Sequence, residues 1–386
     1  MTGTEPRQPE KDRLPLYPPG TDESPVKYRL RCLSCGRMHQ PYHPSQLCGS
    51  CGGILEAVYS GIPNLKSLVK DFWSYRSLLP EGGYKEYKLG NTTLLRATED
   101  GLFMKLELEN PTKSFKDRGS VIEIAKALEF GYDEVVVAST GNMAYSIAYY
   151  AKLAGIRSTV FVSRNANWLK VRNIKDTKDA KIVKVDGDFT EAQRRAIAYA
   201  NRREAFLVGD YGYRKEGQKT VMYEVMAEMP DVRNVFIPIG NATLFSASVK
   251  AAEELQRYGL SKGRPRLVAV QAKLTDPVAR AFREGKPVRY QKPLTDAGAI
   301  AVGFPTYGDM AVEGIKATGG TAVEVTDNEM DEERKAFYRE YGLQAEMAGV
   351  ASLAAFRKAG LAGKSVAIIS GGNTLKPYPM WSSSGP

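Results

Sequence analysis

Short apolar runs alternate with amphipathic stretches from about residue 85 onward, which predicts strands that each lead into a helix. The predicted buried strands are residues 134–139, 156–162, 181–185, 234–240, 266–271 and 365–370. Repeated strand–loop–helix units imply a parallel sheet that is covered by helices on both faces. We therefore expect an α/β fold in which ligands bind at the carboxyl ends of the strands.

The composition is that of an ordinary globular protein. Of the 386 residues, 43% are hydrophobic and 25% are charged, and the formal net charge is +10. These values exclude a mainly disordered or fibrous chain. We expect no transmembrane helix and no secretory signal, because no apolar run approaches 18 residues and the first twenty residues are polar, and hence a cytoplasmic protein. Acidic residues interleave with the basic ones, so we expect neither nucleic acid nor a membrane as partner.

All histidines and cysteines of the chain lie in one short segment, between positions 32 and 51. A Ser-His-Asp triad, a Cys-His pair or an H-E-x-x-H zinc site therefore cannot form in the main body of the protein. Chemistry in that body must use lysine, carboxylates, hydroxyls, backbone amides or a cofactor.

The cysteine segment, residues 28–57, has the spacing C-x2-C-x12-C-x2-C, with glycine after each pair. This spacing predicts a four-cysteine zinc ribbon, in which the metal is structural because sulfur fills all four tetrahedral positions. The alternative is two disulfides, which a chain without a secretion signal disfavours. His39 and His43 are then expected to be surface residues. The predicted ligands are Cys32, Cys35, Cys48 and Cys51.

Three loops that follow predicted strands combine glycine with hydroxyl or amide side chains: residues 139–142, 240–243 and 370–374. Glycine lets backbone N–H groups approach an anion, and a helix N-terminus adds partial positive charge. One such loop is common in α/β proteins. Three at strand ends indicate a ligand with more than one anionic group.

A fourth segment, residues 110–119, reads Asn-Pro-Thr-Lys-Ser-Phe-Lys-Asp-Arg-Gly. It places Lys116 in the first turn of a predicted helix, beside Arg118 and behind Lys113. Because cations are disfavoured at that end of a helix, a neutral amine is favoured, as a Schiff-base lysine requires. A solvated basic helix start explains the spacing equally well.

This segment closely resembles the pyridoxal-phosphate (PLP) signature of threonine synthases, which are fold-type-II (tryptophan synthase β-like) enzymes. The resemblance extends over roughly residues 28–380 and includes the zinc ribbon. Further matching segments are residues 90–94, 139–142, 185–189, 213–220, 237–242 and the strand ending at Ser370.

The resemblance implies two three-layer αβα domains after the ribbon. The expected division is a flexible Pro-rich tail at 1–27, the ribbon at 28–57, a large PLP-binding domain at 58–124 and 215–380, a small domain inserted at 125–214, and a tail at 381–386. Many enzymes of this fold are dimers, so we also expect a homodimer.

The resemblance also implies roles by position. Lys116 would hold PLP and move protons, and Phe115 would pack beside the cofactor ring. Asn142 would bond the ring's 3′ oxygen, and Ser370 would face the ring nitrogen. The phosphate would lie on Gly240, Asn241, Ala242, Thr243 and Leu244.

For the substrate, the resemblance implies that Ser139, Thr140 and Gly141 hold the α-carboxylate and that Arg214 holds a phosphate. The implied reaction converts O-phospho-L-homoserine and water to L-threonine and phosphate. A small phosphorylated amino acid is thus the expected partner, with PLP and structural zinc as cofactors.

Several pocket positions depart from the usual threonine synthase motifs. Lys113 stands where the family usually has glycine, and residues 370–373 read Ser-Gly-Gly-Asn, as in threonine and serine dehydratases. Thr243-Leu244, Ala299–Gly303 and Glu346–Gly349 also differ from the family's usual residues. The alternatives are therefore a β-replacement enzyme on O-phospho-L-serine (a cysteate synthase or sulfhydrylase), an amino-acid ammonia-lyase, or a binding protein without PLP.

Overall fold

The structure is a computed structural model that describes residues 26–372, apart from 44, 62, 64, 66, 81–84, 98–100, 165–167, 178 and 188. The predicted tails and the end of the third glycine loop lie outside the described residues. The exception is Val26 and Lys27, which belong to the first strand rather than to a tail.

The strands, in chain order, are β1 Val26–Cys32, β2 Met38–His39, β3 Leu55–Gly61, β4 Leu94–Arg96, β5 Leu102–Leu106, β6 Glu134–Ala138, β7 Arg157–Ser163, β8 Ala180–Val185, β9 Phe206–Leu207, β10 Asn234–Pro238, β11 Arg266–Ala272, β12 Thr321–Val325 and β13 Ser365–Ile369. The α-helices are α1 Lys116–Glu129, α2 Asn142–Ala154, α3 Trp168–Asp176, α4 Phe189–Arg203, α5 Gly212–Gln218, α6 Thr220–Glu228, α7 Thr243–Arg257, α8 Pro277–Glu284, α9 Gly308–Ala317, α10 Asp327–Tyr341 and α11 Met347–Ala359. Short 3-10 helices span Phe72–Leu78 and Glu107–Glu109.

The larger sheet has six strands in the order β12-β11-β10-β13-β5-β4, and only its edge strand β4 runs antiparallel to its neighbour. Both faces of its centre are buried, which explains the nearly continuous apolar runs of β10 and β13. Val235 and Ile237 pack in one cluster with Phe245 of α7, whereas Phe236 packs on the other face with Ala351 of α11. The alternation of side chains along a strand produces this division.

The second sheet has four parallel strands in the order β8-β7-β6-β9. Val135 and Val137 share a cluster with Ile147 of α2, and Val136 faces Ala196 of α4. Helices therefore cover both faces, as predicted. All four strands lie within the proposed inserted segment 125–214. Helix α1, however, continues across the proposed boundary at 124/125.

The predicted strands are confirmed, and their ends lie within two residues of the predicted ones. The α/β class is also confirmed. Among the described residues, no helix is both long enough and apolar enough to cross a membrane.

The cysteine segment forms an antiparallel sheet in the order β2-β1-β3, in which Cys32 pairs with Leu55. Strand β3 continues to Gly61, four residues past the predicted end of the ribbon. The sheet lies directly against α5: a Cβ on Gly212 would be 1.9 Å from the carbonyl oxygen of Leu55. Only glycine allows this approach.

Candidate active site

Lys116 is the first residue of α1, and the loop that precedes it is tied to the end of β13. The N–H of Phe115 donates to the carbonyl of Ser370 over 3.2 Å. The side chain of Lys116 is 19% exposed, and its Nζ lies 3.5 Å from Oδ1 of Asp210. The same Nζ lies 4.8 Å from the centre of the Phe115 ring. Lys116 is thus held between an aromatic face and a carboxylate.

The environment of Lys116 favours a neutral amine. Burial lowers the pKa of Lys116 below its ordinary value, the carboxylate of Asp210 opposes this effect, and the guanidinium of Arg214 adds to it. A lysine with a lowered pKa is a better nucleophile and proton acceptor near neutral pH.

Lys113 adopts a left-handed backbone conformation, with φ of +64°. Its N–H bonds the carbonyl of Asn110, and its own carbonyl accepts from the N–H of Gly372. Its side chain is exposed. The position at which the sequence motif usually has glycine is therefore one where glycine has a conformational advantage.

The loop 139–142 joins β6 to α2 and is half-buried. Asn142 opens the helix, and its Nδ2 donates to Oε1 of Glu346 over 2.6 Å. Glu346 precedes α11, and its own N–H bonds the carbonyl of Gly371. A Cβ on Gly371 would lie 2.5 Å from the Glu346 carboxylate and 3.1 Å from the Asn142 amide. The first and third glycine loops therefore meet at Glu346.

The loop 240–244 joins β10 to α7, and Ala242 takes a left-handed φ of +63° to make this turn. Backbone N–H groups from Asn241 to Phe245 donate to no acceptor among the described residues. Orphan N–H groups at a helix N-terminus attract a phosphate or a carboxylate. This loop therefore fits a phosphate group well.

Asp210 connects this phosphate cradle to Lys116. Its carboxylate accepts from Nδ2 of Asn241 and from Oγ1 of Thr243, each over 2.7 Å. Although burial raises the pKa of Asp210, the charges of Lys116 and Arg214 and these hydrogen bonds lower it overall. Asp210 is therefore ionised at neutral pH.

Ser370, at the end of β13, is buried, and its Oγ lies 3.4 Å from the carbonyl of Ala348. The carbonyl of Ser370 accepts the hydrogen bond from the N–H of Phe115, as described above. Ser370 therefore lies next to the loop that carries Lys116. The structure thus brings Phe115, Lys116 and Ser370 together.

Arg214 lies behind Lys116 and is fully buried. Nε donates to the carbonyl of Gly209, Nη1 to the carbonyl of Lys116, and Nη2 to Ser120 and to the carboxylate of Glu123. Four of its five N–H donors are thereby used within the protein. In this arrangement Arg214 fixes α1 against α5, and its role as a phosphate ligand stays a prediction.

Sequence reasoning missed Asp210 and did not assign a role to Glu346. Asp210 follows β9, a two-residue strand that is too short to produce a recognisable pattern. A strand-end search that included β9 would have found this carboxylate. Glu346 was noted only as a departure from a motif.

The four cysteine sulfurs lie within 4.8 Å of one another. A Zn–S bond of about 2.3 Å in a tetrahedral site places sulfurs about 3.8 Å apart, close to the 3.5 Å between Cys32 and Cys51 and the 3.9 Å between Cys35 and Cys48. Gly36 and Gly52 take the left-handed conformations that turn each pair back on itself. The arrangement fits one thiolate-bound metal ion.

Within this cluster, Cys48 receives hydrogen bonds that favour its ionised form, and His39 lies beside it. The backbone N–H of Ser50 is the main cause that lowers the pKa of Cys48 to about 5. Nε2 of His39 lies 3.3 Å from the same sulfur. His39 is therefore a hydrogen-bond partner of the cluster rather than only a surface residue.

Residues 86–371 match the family described as "Pyridoxal-phosphate dependent enzyme". The fold is similar to that of maize serine racemase, with a TM-score of 0.65, 25% identity, and coverage of 73% of this chain and 88% of that one. Fold and site therefore define a PLP-dependent enzyme of fold type II.

Two archaeal proteins are similar to this chain over most of its length. A threonine synthase of Methanosarcina acetivorans is 31% identical over 353 residues, which cover 86% of each chain. One from Methanocaldococcus jannaschii is 31% identical over 355 residues, which cover 85% of this chain and 86% of that one. The chain belongs to the threonine synthase family.

Proposed function

We propose that this protein is a PLP-dependent threonine synthase that converts O-phospho-L-homoserine and water to L-threonine and phosphate. The observation that carries the proposal is the direct connection between Lys116 and an anion cradle. Asp210 bridges the amine of Lys116 to Asn241 and Thr243, next to five backbone N–H groups that have no acceptor within the part of the chain that the structure describes. The similarity to archaeal threonine synthases supports the same conclusion.

In this proposal the cradle residues Gly240 to Leu244 bind the cofactor phosphate and Lys116 holds the cofactor. Asn142 would bond the 3′ oxygen, Phe115 would pack beside the ring, and the hydroxyl of Ser370 would face the ring nitrogen. A hydroxyl does not force that nitrogen to be protonated, as a carboxylate would. PLP supplies the electron sink that stabilises a carbanion at the substrate Cα.

The half-buried loop of Ser139, Thr140 and Gly141 would bind the substrate α-carboxylate with its N–H and hydroxyl groups. Lys116 would take the proton from the substrate Cα and later deliver a proton to another carbon of the substrate. The lowered pKa of Lys116 supports this role, since a neutral amine is needed for the first transfer.

The binding of the substrate phosphate depends on Arg214. Arg214 can bind it only if the guanidinium exchanges its present acceptors, and Glu123 is a strong one. This enclosure favours a second candidate, an amino-acid ammonia-lyase, whose substrate carries no phosphate. A β-replacement enzyme acting on O-phospho-L-serine would need a phosphate site like that of the first candidate.

We further propose that Cys32, Cys35, Cys48 and Cys51 hold one structural zinc ion. The sulfur spacing and the two left-handed glycines support this assignment. A cytoplasmic location, a homodimer and the domain division given above also belong to the proposal, with β1 and β3 placed wholly in the ribbon and the boundary at 124/125 moved past the end of α1 at Glu129.

Product analysis separates these candidates. The PLP-loaded enzyme is incubated with O-phospho-L-homoserine, with O-phospho-L-serine plus sulfide or sulfite, and with L-serine or L-threonine alone. The proposal expects threonine and phosphate from the first substrate, and no product when Lys116 is replaced by alanine. Release of ammonia and a 2-oxo acid from serine or threonine, with no turnover of either phosphate ester, would replace it with the ammonia-lyase.

A further inference from the structure

The proposed function assigns no chemical role to Asp210, which makes three contacts in the site. One oxygen, Oδ1, lies 3.5 Å from Nζ of Lys116 and accepts from Thr243. The other, Oδ2, accepts from the side chain of Asn241. Since both oxygens have partners, the carboxylate is fixed in one orientation toward the amine.

The charges around Lys116 are unequal. Arg214 contributes positive charge, which lowers the pKa of Lys116, and Glu123, to which Arg214 is bonded, opposes this effect only in part. Glu123 is itself weakly acidic, because burial raises its pKa to about 7. Asp210 is therefore the firmly ionised carboxylate among the charged groups that act on Lys116: Asp210, Arg214 and Glu123.

From this geometry we infer that Asp210 is the charge partner of Lys116, which stabilises the protonated lysine nitrogen and keeps it aligned with the phosphate cradle. The inference rests on the proposed role of Lys116. Asp210 stays ionised throughout and neither gains nor loses a proton. It is a positioning residue, because it acts through the lysine nitrogen.

Proton transfer from the substrate to Lys116 creates a positive charge that needs a nearby negative partner. When Lys116 accepts the substrate α-proton, the Cα–H bond breaks, an N–H bond forms at Nζ, and the electron pair remains with the substrate. A half-buried ammonium then exists where burial disfavours charge. A carboxylate 3.5 Å away offsets this cost without moving. The same ammonium can then return the proton to the substrate.

The test uses the PLP-loaded enzyme and needs no substrate. The visible absorption of bound PLP changes when the lysine nitrogen that holds it loses its proton, so a pH titration gives the pKa of that nitrogen. Removing a negative neighbour disfavours the protonated form. Asp210→Asn is expected to lower this pKa by about one unit or more, and to move the acid limb of the rate profile to lower pH.

Two variants serve as comparisons. Asp210→Glu keeps the charge and is expected to restore most of the shift. Asp186→Asn removes an exposed aspartate that pairs with Arg164 at the surface, and should leave the titration unchanged. An unchanged pKa in Asp210→Asn would overturn the inference. If Asp210→Asn binds no PLP, Asp210→Glu decides: a pKa equal to the parent's supports the inference, and a failure to bind PLP overturns it.

Failure of the proposed function looks different. If Lys116→Ala retains the absorption band of lysine-bound PLP, the assignment of Lys116 is wrong. If Lys116→Ala loses the band but the parent enzyme does not turn over phosphohomoserine, the substrate is wrong while the charge partnership of Asp210 remains testable by titration.

Discussion

Two regions of this molecule contain buried charged groups and use them in opposite ways. The first, the ribbon interface, lies between β3, α5 and α7 and consists of Glu56, Tyr59, Lys215, Glu216, Lys219, Lys250 and Glu254. There each charge has an opposite partner. The second is the cleft around Lys116, where the amine of Lys116 and the carboxylate of Asp210 meet a row of N–H groups that have no acceptor between residues 26 and 372, as far as these are described.

The ribbon interface is closed, in the sense that its charged side chains pair with one another. Lys215 bonds Glu56 over 2.5 Å, and Lys219 bonds Glu216 over 2.7 Å and Glu254 over 2.9 Å. Lys250 bonds Glu216 and the carbonyl of Ala57, which ties α7 to the ribbon. Groups that satisfy one another in this way have no capacity left for a ligand. They fix the position of α5, which carries Arg214, and of α7, which carries the cradle.

The cleft around Lys116 is open, in the sense that it contains N–H donors that have no acceptor among the described residues. Its N–H groups cost free energy unless water or an anion binds them, which makes them available to a ligand. The comparison shows that buried charge alone does not identify a binding site. The presence of donors without acceptors distinguishes the cleft from the ribbon interface.

The largest expected effect follows from removing the reactive group of the open region. Lys116→Ala should lower the turnover rate by at least about 10³-fold, because the proton-transfer group is absent. The unfolding free energy should change far less than in the ribbon-interface variant described next. Steady-state kinetics and urea unfolding measure both. If Lys116→Ala stayed active but lost stability, the cleft would have the structural role that we assign to the ribbon interface.

Glu216→Gln tests the closed region with an isosteric change. It leaves Lys219 and Lys250 with a buried excess of positive charge, which should cost about 3–5 kcal/mol of stability. Glu313→Gln, an exposed position on α9, is the matched control and should be near neutral. Equal unfolding midpoints for the two variants would show that the interface does not stabilise the protein.

Metal removal tests whether the ribbon supports the interface. Chelation of zinc, or Cys48→Ser, should lower the unfolding midpoint by at least about 2 °C, since each 1 kcal/mol corresponds to about 2–4 °C in a domain of 150–250 residues and to less in a longer chain. Gln40→Ala changes the same segment at an exposed position outside the cysteine cluster and is the control. A midpoint that is insensitive to chelation would argue against a structural metal.

The smallest expected effect concerns backbone strain beside the cleft. Lys113→Gly should stabilise the protein by up to about 1 kcal/mol, because glycine adopts the left-handed φ of Lys113 without the cost of a Cβ. A loss of activity in this variant without a loss of stability would indicate that the lysine side chain contacts substrate. Chemical denaturation together with KM measurements separates the two effects.

The parts of this structure that depend on local pattern could be predicted from the sequence. Strands such as 134–139 and 365–370 are buried runs bounded by loops, and the helix start at Lys116 follows from its own motif. The half-exposed edge strand β12 and the two-residue β9 were missed because neither carries a continuous apolar run.

The relations between distant segments could not be predicted in this way. Asn142 and Glu346 are 204 residues apart in the chain and become neighbours only when the two sheets pack. The contact of Asp210 with Lys116 has the same origin. For Arg214, the motif could indicate proximity to the site but not the ion pair with Glu123 that occupies its donors.

The central claim is that Lys116 is the residue that holds PLP in this enzyme. Borohydride reduction of the PLP-loaded protein, followed by digestion and mass spectrometry, fixes the cofactor to its lysine. We expect a single labelled peptide that carries the modification at Lys116. A label at Lys113 or at another lysine, or no label on a protein that nonetheless binds PLP, would contradict it.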